Sequence, residues 1–251
     1  MTAAVSLFEA DPELLAAVPV RDRPLACRGA LLAVQRLPPG GWEPAALGAP
    51  PWGLLVLEGL LAREVDVATV GAAELLGPGD VLLPGGTAAG EALPGATRWT
   101  VLQAGRVAML DDRLAPIVQR WPHLSALLVQ RAARRADRLA LARAISHLTR
   151  VDARVLATLW QLAERWGRVT PGGVVLSTRL THRTIAGLIG ARRPSVTSAM
   201  TDLTKRGLIE RRGDGAWVLR GPPPADLDAV TAGPPPPVQR RPGPGVAAPS
   251  C

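Results

Sequence analysis

The first half of the chain alternates short apolar runs with turns rich in glycine and proline. Between Leu25 and about Leu110, the runs GALLAVQRL, WGLLVLEG and RWTVLQAGRVAML are separated by clusters such as PPGG and LLPGG. Apolar runs of this length between such clusters are typical of strands joined by tight turns. The pattern predicts a β-sandwich or barrel-like β roll, and no long helix, in this half of the chain.

The pattern changes to a helical period after Asp112. Between Pro122 and Gly167 there is no proline, and alanine, leucine and arginine dominate, which favours one long helix followed by another with a break near 149–152. An apolar stripe at roughly helical spacing is formed by Leu124, Leu127, Leu128, Leu139, Ala142, Ile145 and Leu148. A long helix with a narrow stripe commonly pairs with a copy of itself. Packing of the stripe on the chain's own β domain is the alternative that periodicity leaves open.

Two short helices are predicted in the segment LTHRTIAGLIGARRPSVTSAMTDLTKRGLI. Thr181 is a candidate N-cap, with Leu180 and Ile185 placed as a hydrophobic staple. Gly190 supplies a left-handed turn before the second helix. That helix has an inner face spaced i, i+3, i+4, i+7, formed by Val196, Ala199, Met200 and Leu203. The compact spacing indicates a helix-turn-helix.

A small hairpin is predicted directly after the second helix. Gly207 ends that helix, and LIERR, GDG and AWVL read as strand, turn and strand, with Arg211 and Arg212 near the tip. A hairpin in this place is the wing of a winged helix. The outer face of the second helix is rich in hydroxyl groups, and Arg192 and Arg193 stand at its start. Small side chains allow close approach to a major groove, and arginines reach guanine edges or phosphates. A helical hairpin used for protein contacts is the alternative.

The charge distribution supports a polyanionic partner for the second half. The net charge is +8, but residues 1–112 carry 7 Lys and Arg against 13 Asp and Glu, residues 113–176 carry 11 against 3, and residues 177–220 carry 9 against 3. A basic back half behind an acidic front indicates nucleic acid binding by the back half. Arginine enrichment by a GC-rich coding bias is the alternative, and by itself it does not account for the acidic front.

The sequence lacks the residues that several other classes of protein require. The two cysteines, Cys27 and Cys251, are too few for an iron–sulfur cluster or a structural zinc site and fit a reducing cytoplasm. Residues 1–112 contain no histidine, which argues against a cupin-like metalloenzyme. No P-loop or nucleophile elbow is apparent, so we expect no enzyme, and neither export nor membrane insertion is expected. His123 and His182 are interpreted as ordinary polar positions.

The order of these predicted elements, a β roll, a long helix and a winged helix-turn-helix, resembles that of the CRP/FNR family of bacterial transcription regulators over roughly residues 25 to 220. The resemblance depends mainly on the segment LTHRTIAGLIGARRPSVTSAMTDLTKRGLI and, more weakly, on GLLVLEG with ELLGPGD. The resemblance implies an α+β protein with an N-terminal antiparallel β roll (cupin-like and cyclic-nucleotide-binding-like), a long dimerisation helix and a C-terminal winged helix-turn-helix. The expected boundaries are 1–112, 113–150 and 151–220, followed by a disordered Pro/Gly-rich tail over 221–251.

The resemblance also implies a DNA-binding site. It places Arg193 at the family's base-contacting arginine, with Pro194 and Ser198 where many members have a base-contacting glutamate and a second base-reading arginine. The operator should therefore differ from the familiar family motif. Thr181 falls at the phosphate-contacting start of the first helix. The predicted DNA-binding set is Thr181, Arg192, Arg193, Ser195, Thr197, Ser198, Lys205, Arg211 and Arg212.

The effector region departs from the family's cyclic-nucleotide cassette. Gly90 and Glu91 are present, but the only nearby arginine, Arg98, is followed by Trp99 and Thr100 in an apparent strand, so we expect no gating by cyclic AMP or cyclic GMP. A cluster in the long helix, formed by Arg131, Arg134, Arg135 and Arg138, is interpreted either as an anion site or as a set of partners for the acidic β domain, with a solvated face as the simplest interpretation.

We therefore predict a cytoplasmic homodimeric regulator that binds double-stranded DNA at a palindromic operator through half-sites one helical turn apart. RNA polymerase is a candidate partner, no cofactor or metal is expected, and the small-molecule effector is unknown. Two alternatives stay open: a regulator gated by another small molecule, and a non-specific architectural DNA-binding protein.

Overall fold

The computed structural model describes residues 3–68, 70–83, 95–178 and 180–224. The predicted tail falls almost entirely outside these residues. The chain starts with strand β1 (Ala3–Ser6), helix α1 (Leu7–Ala10), two 3-10 turns (Pro12–Ala17 and Val20–Asp22) and helix α2 (Arg23–Gly29). The sheet of the roll therefore begins before Leu25, and Leu25 itself lies in α2. Pro24 lies in the first turn of α2, where its fixed φ favours a helix.

The front half is an antiparallel β roll, as the sequence predicts. Its strands are β2 (Leu31–Leu37), β3 (Gly40–Trp42), β4 (Leu54–Val67), β5 (Val70–Leu76), β6 (Val81–Leu82) and β7 (Gly95–Met109), with a 3-10 turn at Pro44–Leu47. The main path of the sheet is β1-β2-β7-β4-β5, with β3 paired to β7 and β6 paired to β4. The long strands β4 and β7 lie at the centre of this sheet.

An irregular pairing between β4 and β7 depends on two glycines. The register shifts between Val56 and Leu61, where Gly59 has a φ of 90°. A Cβ on Gly105 would lie 2.1 Å from the carbonyl oxygen of Glu58, so the strands can approach here only without that side chain. One apolar cluster fills the inside of the roll, and a second packs α1, α2 and the following helices against its outer face.

The helical region contains one helix more than expected. Helix α3 (Leu114–Arg120) precedes α4 (His123–Ser146), and α5 (Val151–Trp166) follows. The single dimerisation helix expected over 113–150 is therefore interrupted at Trp121. The residue before a proline is disfavoured in the α conformation, and Trp121 before Pro122 has φ −128° and ψ 79°. The predicted break near 149–152 is confirmed.

The C-terminal part is a winged helix-turn-helix. Strands β8 (Gly167–Thr170) and β9 (Gly173–Leu176) precede helices α6 (His182–Ile189) and α7 (Arg193–Lys205), and the hairpin β10 (Ile209–Arg211) and β11 (Trp217–Leu219) completes it. The four strands form a sheet in the order β10-β11-β9-β8. Its core also includes Leu60, Ala62 and Leu75 of the roll. The two halves therefore share one apolar core.

Candidate nucleic-acid interface

Helix α6 starts and ends as its local sequence predicts. The backbone N–H of Thr184 donates to the Thr181 hydroxyl at 3.1 Å, which satisfies one free amide at the helix start. Leu180 and Ile185 are both buried in the same core. Gly190 has the left-handed conformation, with φ 61° and ψ 41°. These local features fix the turn that leads into α7.

Helix α7 buries its predicted inner face and exposes the opposite one. Val196 and Leu203 are fully buried, and Ala199 and Met200 nearly so, against α5 and α6. After Lys205, Gly207 takes a φ of 70°, and the N–H of Leu208 donates to the Leu203 carbonyl at 3.0 Å, which closes the helix. The opposite face of α7 therefore stands free on a rigidly packed helix.

All nine residues predicted to bind DNA are exposed, and the structure brings three of them together. Thr181, Arg193 and Arg211 line one open cleft of about 690 Å³ between α6, the start of α7 and the β10–β11 turn. Ser195, Ser198 and Lys205 lie along the outside of α7 and do not line this cleft. Arg212 is at the hairpin turn, where it pairs with Asp214 at 3.7 Å. The remaining members, Arg192 and Thr197, are at the start and on the outer face of α7.

The hydroxyl groups of α7 bond to their own helix. Thr197, Ser198 and Thr201 each donate to the carbonyl oxygen four residues earlier, at 3.1, 3.3 and 3.0 Å. With these protons engaged, the oxygens present lone pairs outward. Such a surface can accept hydrogen bonds from adenine and cytosine amino groups and can contact thymine methyl groups.

The wing places one arginine beside an aromatic ring. The Arg211 guanidinium lies 5.5 Å from the ring centroid of Trp217, which is itself buried. A cation above an aromatic face is attracted to the ring. Arg211 is therefore presented to the cleft by the wing sheet.

Sequence reasoning missed the ionisable residue His182 of this cleft. His182, interpreted as an ordinary polar position, lines the cleft, and its Nδ1 is 3.0 Å from the Thr197 hydroxyl. Burial, together with the positive charges of Arg211 and Arg193, lowers the pKa of His182. The only sequence signal was its place in the first turn of α6. Its closeness to Thr197 and Arg211 is a tertiary feature.

The arginine cluster of α4 faces the acidic roll. Arg131 pairs with Asp11 and Glu13, Arg135 with Glu74, and Arg138 with Asp80. Arg134 remains exposed. Of the interpretations left open, pairing with the β domain is therefore correct for three of the four arginines.

The arginine of the effector region forms ion pairs with carboxylates of the roll itself. Arg98 lies on β7 and donates to Glu64 at 2.6 Å and to Asp66 at 3.3 Å. Gly90 and Glu91 lie outside the described residues. A separate apolar groove of about 420 Å³ lies between the roll and α4, lined in part by Trp52, Trp99 and Leu128.

The family comparison matches the helix-turn-helix just described. Residues 153–222 match the model of the Crp-like helix-turn-helix domain. Over this segment the chain is similar to Crp-type transcription regulators. This confirms the resemblance drawn from the sequence, and the α+β fold expected of a CRP/FNR protein is present.

Among curated relatives, a CRP-like cAMP-activated global transcriptional regulator of Mycobacterium tuberculosis is 33% identical over 119 residues. The alignment covers 47% of this chain and 53% of that protein, so the chain spans about half the length of the curated relative that it matches. Such CRP/FNR relatives regulate transcription, which agrees with the prediction that the chain is not an enzyme.

Solved structures share the whole architecture at low identity. A CooA variant from Carboxydothermus hydrogenoformans superposes with a TM-score of 0.59 at 18% identity, covering 80% of this chain and 87% of that one. The c-di-GMP-responsive global regulator CLP of Xanthomonas campestris superposes with a TM-score of 0.53 at 18% identity, covering 75% and 94%. At this identity the likeness establishes the CRP/FNR fold alone. Within the described ranges, no helix is both long and apolar enough to cross a membrane.

Proposed function

We propose that this protein is a transcription regulator that binds double-stranded DNA in a sequence-specific manner through α7 and the wing. The observation that carries the proposal is the exposed outer face of α7, bordered by the cleft that Thr181, Arg193 and Arg211 line. An α-helix fits the major groove, and arginine is the commonest specific reader of guanine. The wing then contacts the neighbouring backbone.

The division of charge supports this assignment. Arg131, Arg135 and Arg138 neutralise carboxylates of the roll. In contrast, within the described residues, Arg192, Arg193 and Arg211 form no ion pair with a carboxylate. Cations without an internal counter-charge are available to displace counterions from phosphate. The basic character of the back half is therefore partly internal, and three of its unpaired arginines lie on the proposed DNA-binding face.

Base reading is assigned to Arg193, with hydroxyl contacts from Ser195, Thr197 and Ser198. Thr181, Arg192, Lys205, Arg211 and Arg212 are assigned to phosphates. Pro194 and Ser198 cannot make the contacts that the glutamate and arginine of the family pattern make. The preferred operator therefore differs from the familiar family motif.

We assign dimerisation to the outer face of α4. The leucine stripe predicted for this role is largely used internally, because Leu124, Leu128 and Ile145 are buried within the protomer. Another stripe, spaced by alternating steps of three and four residues, is exposed along α4 and consists of Ala126, Val129, Ala133, Ala136 and Ala140. This spacing is that of a two-helix seam. A two-fold pair of α4 helices would present two α7 helices to a palindromic operator.

Direct gating by a cyclic mononucleotide is not part of this proposal. The CRP-like relative is named as cAMP-activated, but Arg98 of this chain is held by two carboxylates on β4. The groove beside Trp52 and Trp99 favours a second candidate, a regulator gated by a different, largely apolar molecule. A molecule bound there would touch α4 and so reach the proposed dimer seam.

The proposal is tested by binding of a fluorescent mixed-sequence duplex at several salt concentrations. The triple variant Arg192→Ala/Arg193→Ala/Arg211→Ala should lose most of its affinity and show a log Kd versus log salt slope shallower by about 2, because Arg192 and Arg211 are assigned to phosphates and each phosphate contact contributes about one unit. The matched control, Arg21→Ala/Arg28→Ala/Arg113→Ala, removes the same charge from exposed positions outside the winged helix-turn-helix. Equal losses in both variants would contradict the assignment of this face.

A further inference from the structure

The cleft between the helix-turn-helix and the wing contains an ionisable group that the DNA-binding assignment has not used. His182 is the first residue of α6, and it is partly exposed in the cleft that Arg193 and Arg211 also line. It thus stands beside two arginines assigned to base and backbone contacts. An imidazole changes its charge near neutral pH, unlike either arginine.

The hydrogen bond to Thr197 determines which ring nitrogen is free. The Thr197 hydroxyl donates its only proton to the Arg193 carbonyl at 3.1 Å, so toward His182 it acts as an acceptor. Nδ1, 3.0 Å from that oxygen, is then the nitrogen that carries the hydrogen. In neutral His182 the Nε2 atom is unprotonated, and no described residue bonds to it. Protonation therefore occurs at Nε2 and creates a new donor.

The charged groups around His182 favour its neutral form before DNA arrives. Arg193 faces it from α7, Arg211 from the wing strand β10, and Arg183 follows it on α6, whereas Asp214 at the wing turn is the one carboxylate among the described residues that line the cleft. Burial is the largest cause of the lowered pKa, with Arg211 and Arg193 adding to it. A phosphate in this cleft would instead favour the protonated form of His182, because it places negative charge beside the imidazole and the three arginines.

We propose that Thr181, His182 and Arg211 seat a DNA backbone phosphate in this cleft, beside the base-reading Arg193, and that His182 takes up a proton at Nε2 when the phosphate binds. This rests on the proposed function, since it requires DNA at this face. DNA binding then becomes tighter as pH falls. At a pH below the pKa that His182 has in the free protein, His182 is charged with and without DNA. At a pH above the pKa that it has in the DNA complex, it is neutral with and without DNA. The affinity changes only between these two values.

The size of the effect follows from linkage. Each unit by which phosphate raises the pKa of His182 makes binding about tenfold tighter at low pH than at high pH. The imidazolium is a phosphate contact rather than a reader of bases. The pH dependence should therefore be similar for a preferred site and for an unrelated duplex.

The test measures the Kd of a fluorescent mixed-sequence duplex from about pH 8 to about pH 5.5 at constant salt, the range over which an imidazole titrates. The wild-type protein should bind about fivefold to tenfold more tightly at the acidic end. The His182→Asn variant keeps a polar group beside Thr197 but does not titrate here, so its Kd should be nearly flat. The His182→Arg variant carries a permanent charge, so it should bind tightly at both ends. The His147→Asn variant, altered at the C-terminal end of α4, should retain the wild-type dependence.

Three outcomes decide the matter. Loss of the pH dependence in His182→Asn with high-pH affinity gained in His182→Arg supports the proposal. A flat wild-type profile, or a slope that persists in both variants, overturns it and leaves the proposed function intact because DNA is still bound. Absence of DNA binding at every pH overturns the proposed function, and the role of His182 with it.

Discussion

Asp80 accepts a hydrogen bond from Arg165 at 2.7 Å and thereby joins the β roll to helix α5 of the C-terminal domain. The Asp80 side chain is only 4% exposed. It also receives Arg138 from α4 and the backbone N–H of Gly77 at 2.9 Å. One carboxylate therefore ties together the roll, the long helix and the domain that carries α7.

Removing the charge of Asp80 should destabilise the fold. Asp80→Asn keeps the side-chain shape but leaves two partly buried arginines facing each other without a counter-charge. We expect a loss of about 3 kcal/mol in the free energy of unfolding, measured by urea denaturation. Asp112→Asn, at an exposed position, is the control and should cost less than about 0.5 kcal/mol. Equal effects would mean that Asp80 does not hold the halves together.

The stability of the protein should depend on Glu74 in a defined pH range. Burial opposes the charge of Glu74, but hydrogen bonds and positive charges from Arg135 and Arg63 outweigh it and lower its pKa. A lowered folded-state pKa adds stability above the unfolded-state value, about 4.3, and this stability is lost as pH falls through the folded-state pKa.

Glu74→Gln should therefore lower the free energy of unfolding by about 2 kcal/mol at neutral pH. The difference from wild type should shrink as the solution is acidified below about pH 4.3. Chemical denaturation across this range measures it, with the exposed Glu43→Gln as control. A difference that stays constant down to the most acidic conditions would contradict the assigned ion pair.

Arg193 and Arg212 should affect DNA binding in different ways. Arg193→Ala should relax the sequence preference and weaken binding to a preferred site by on the order of 1–3 kcal/mol, because it is the proposed base reader. Arg212→Ala, at the wing turn, should weaken binding to all sequences about equally. Competition between preferred and scrambled duplexes separates these effects. An unchanged preference in Arg193→Ala would refute its role.

The outer face of α4 should control the oligomeric state. Ala133→Glu/Ala140→Glu places like charges along the proposed seam, and we expect the dimer dissociation constant to rise at least about tenfold. Ala45→Glu/Ala46→Glu adds the same charges at exposed positions of the roll. Sedimentation velocity measures both. Unchanged association of the α4 variant would place any dimer elsewhere.

Features set by a few neighbouring residues could be predicted from the sequence. The Thr181 cap, the left-handed Gly190 and the end of α7 at Gly207 each depend on residues within one helical turn. The inner face of α7 was equally readable, because one side of a helix repeats every three to four residues. These local signals located most of the candidate DNA-binding surface.

Features that depend on tertiary contacts could not be predicted. Periodicity identified an apolar stripe on α4, but not that Leu124 and Leu128 pack within the protomer. Asp80 meets Arg138 and Arg165 from positions 58 and 85 residues away. His182 forms its hydrogen bond with Thr197, which lies 15 residues further along the chain. Only the folded arrangement brings these groups together.

Sequence-specific DNA binding is tested most directly by selecting preferred sites from a random duplex pool with the purified protein, without added ligand and at near-physiological salt. We expect an enriched palindrome whose half-sites are centred about one helical turn, roughly 10 bp, apart, and which differs from the familiar family motif. Failure to enrich any sequence above background would contradict the claim that this protein, without an effector, is a dimeric sequence-specific regulator.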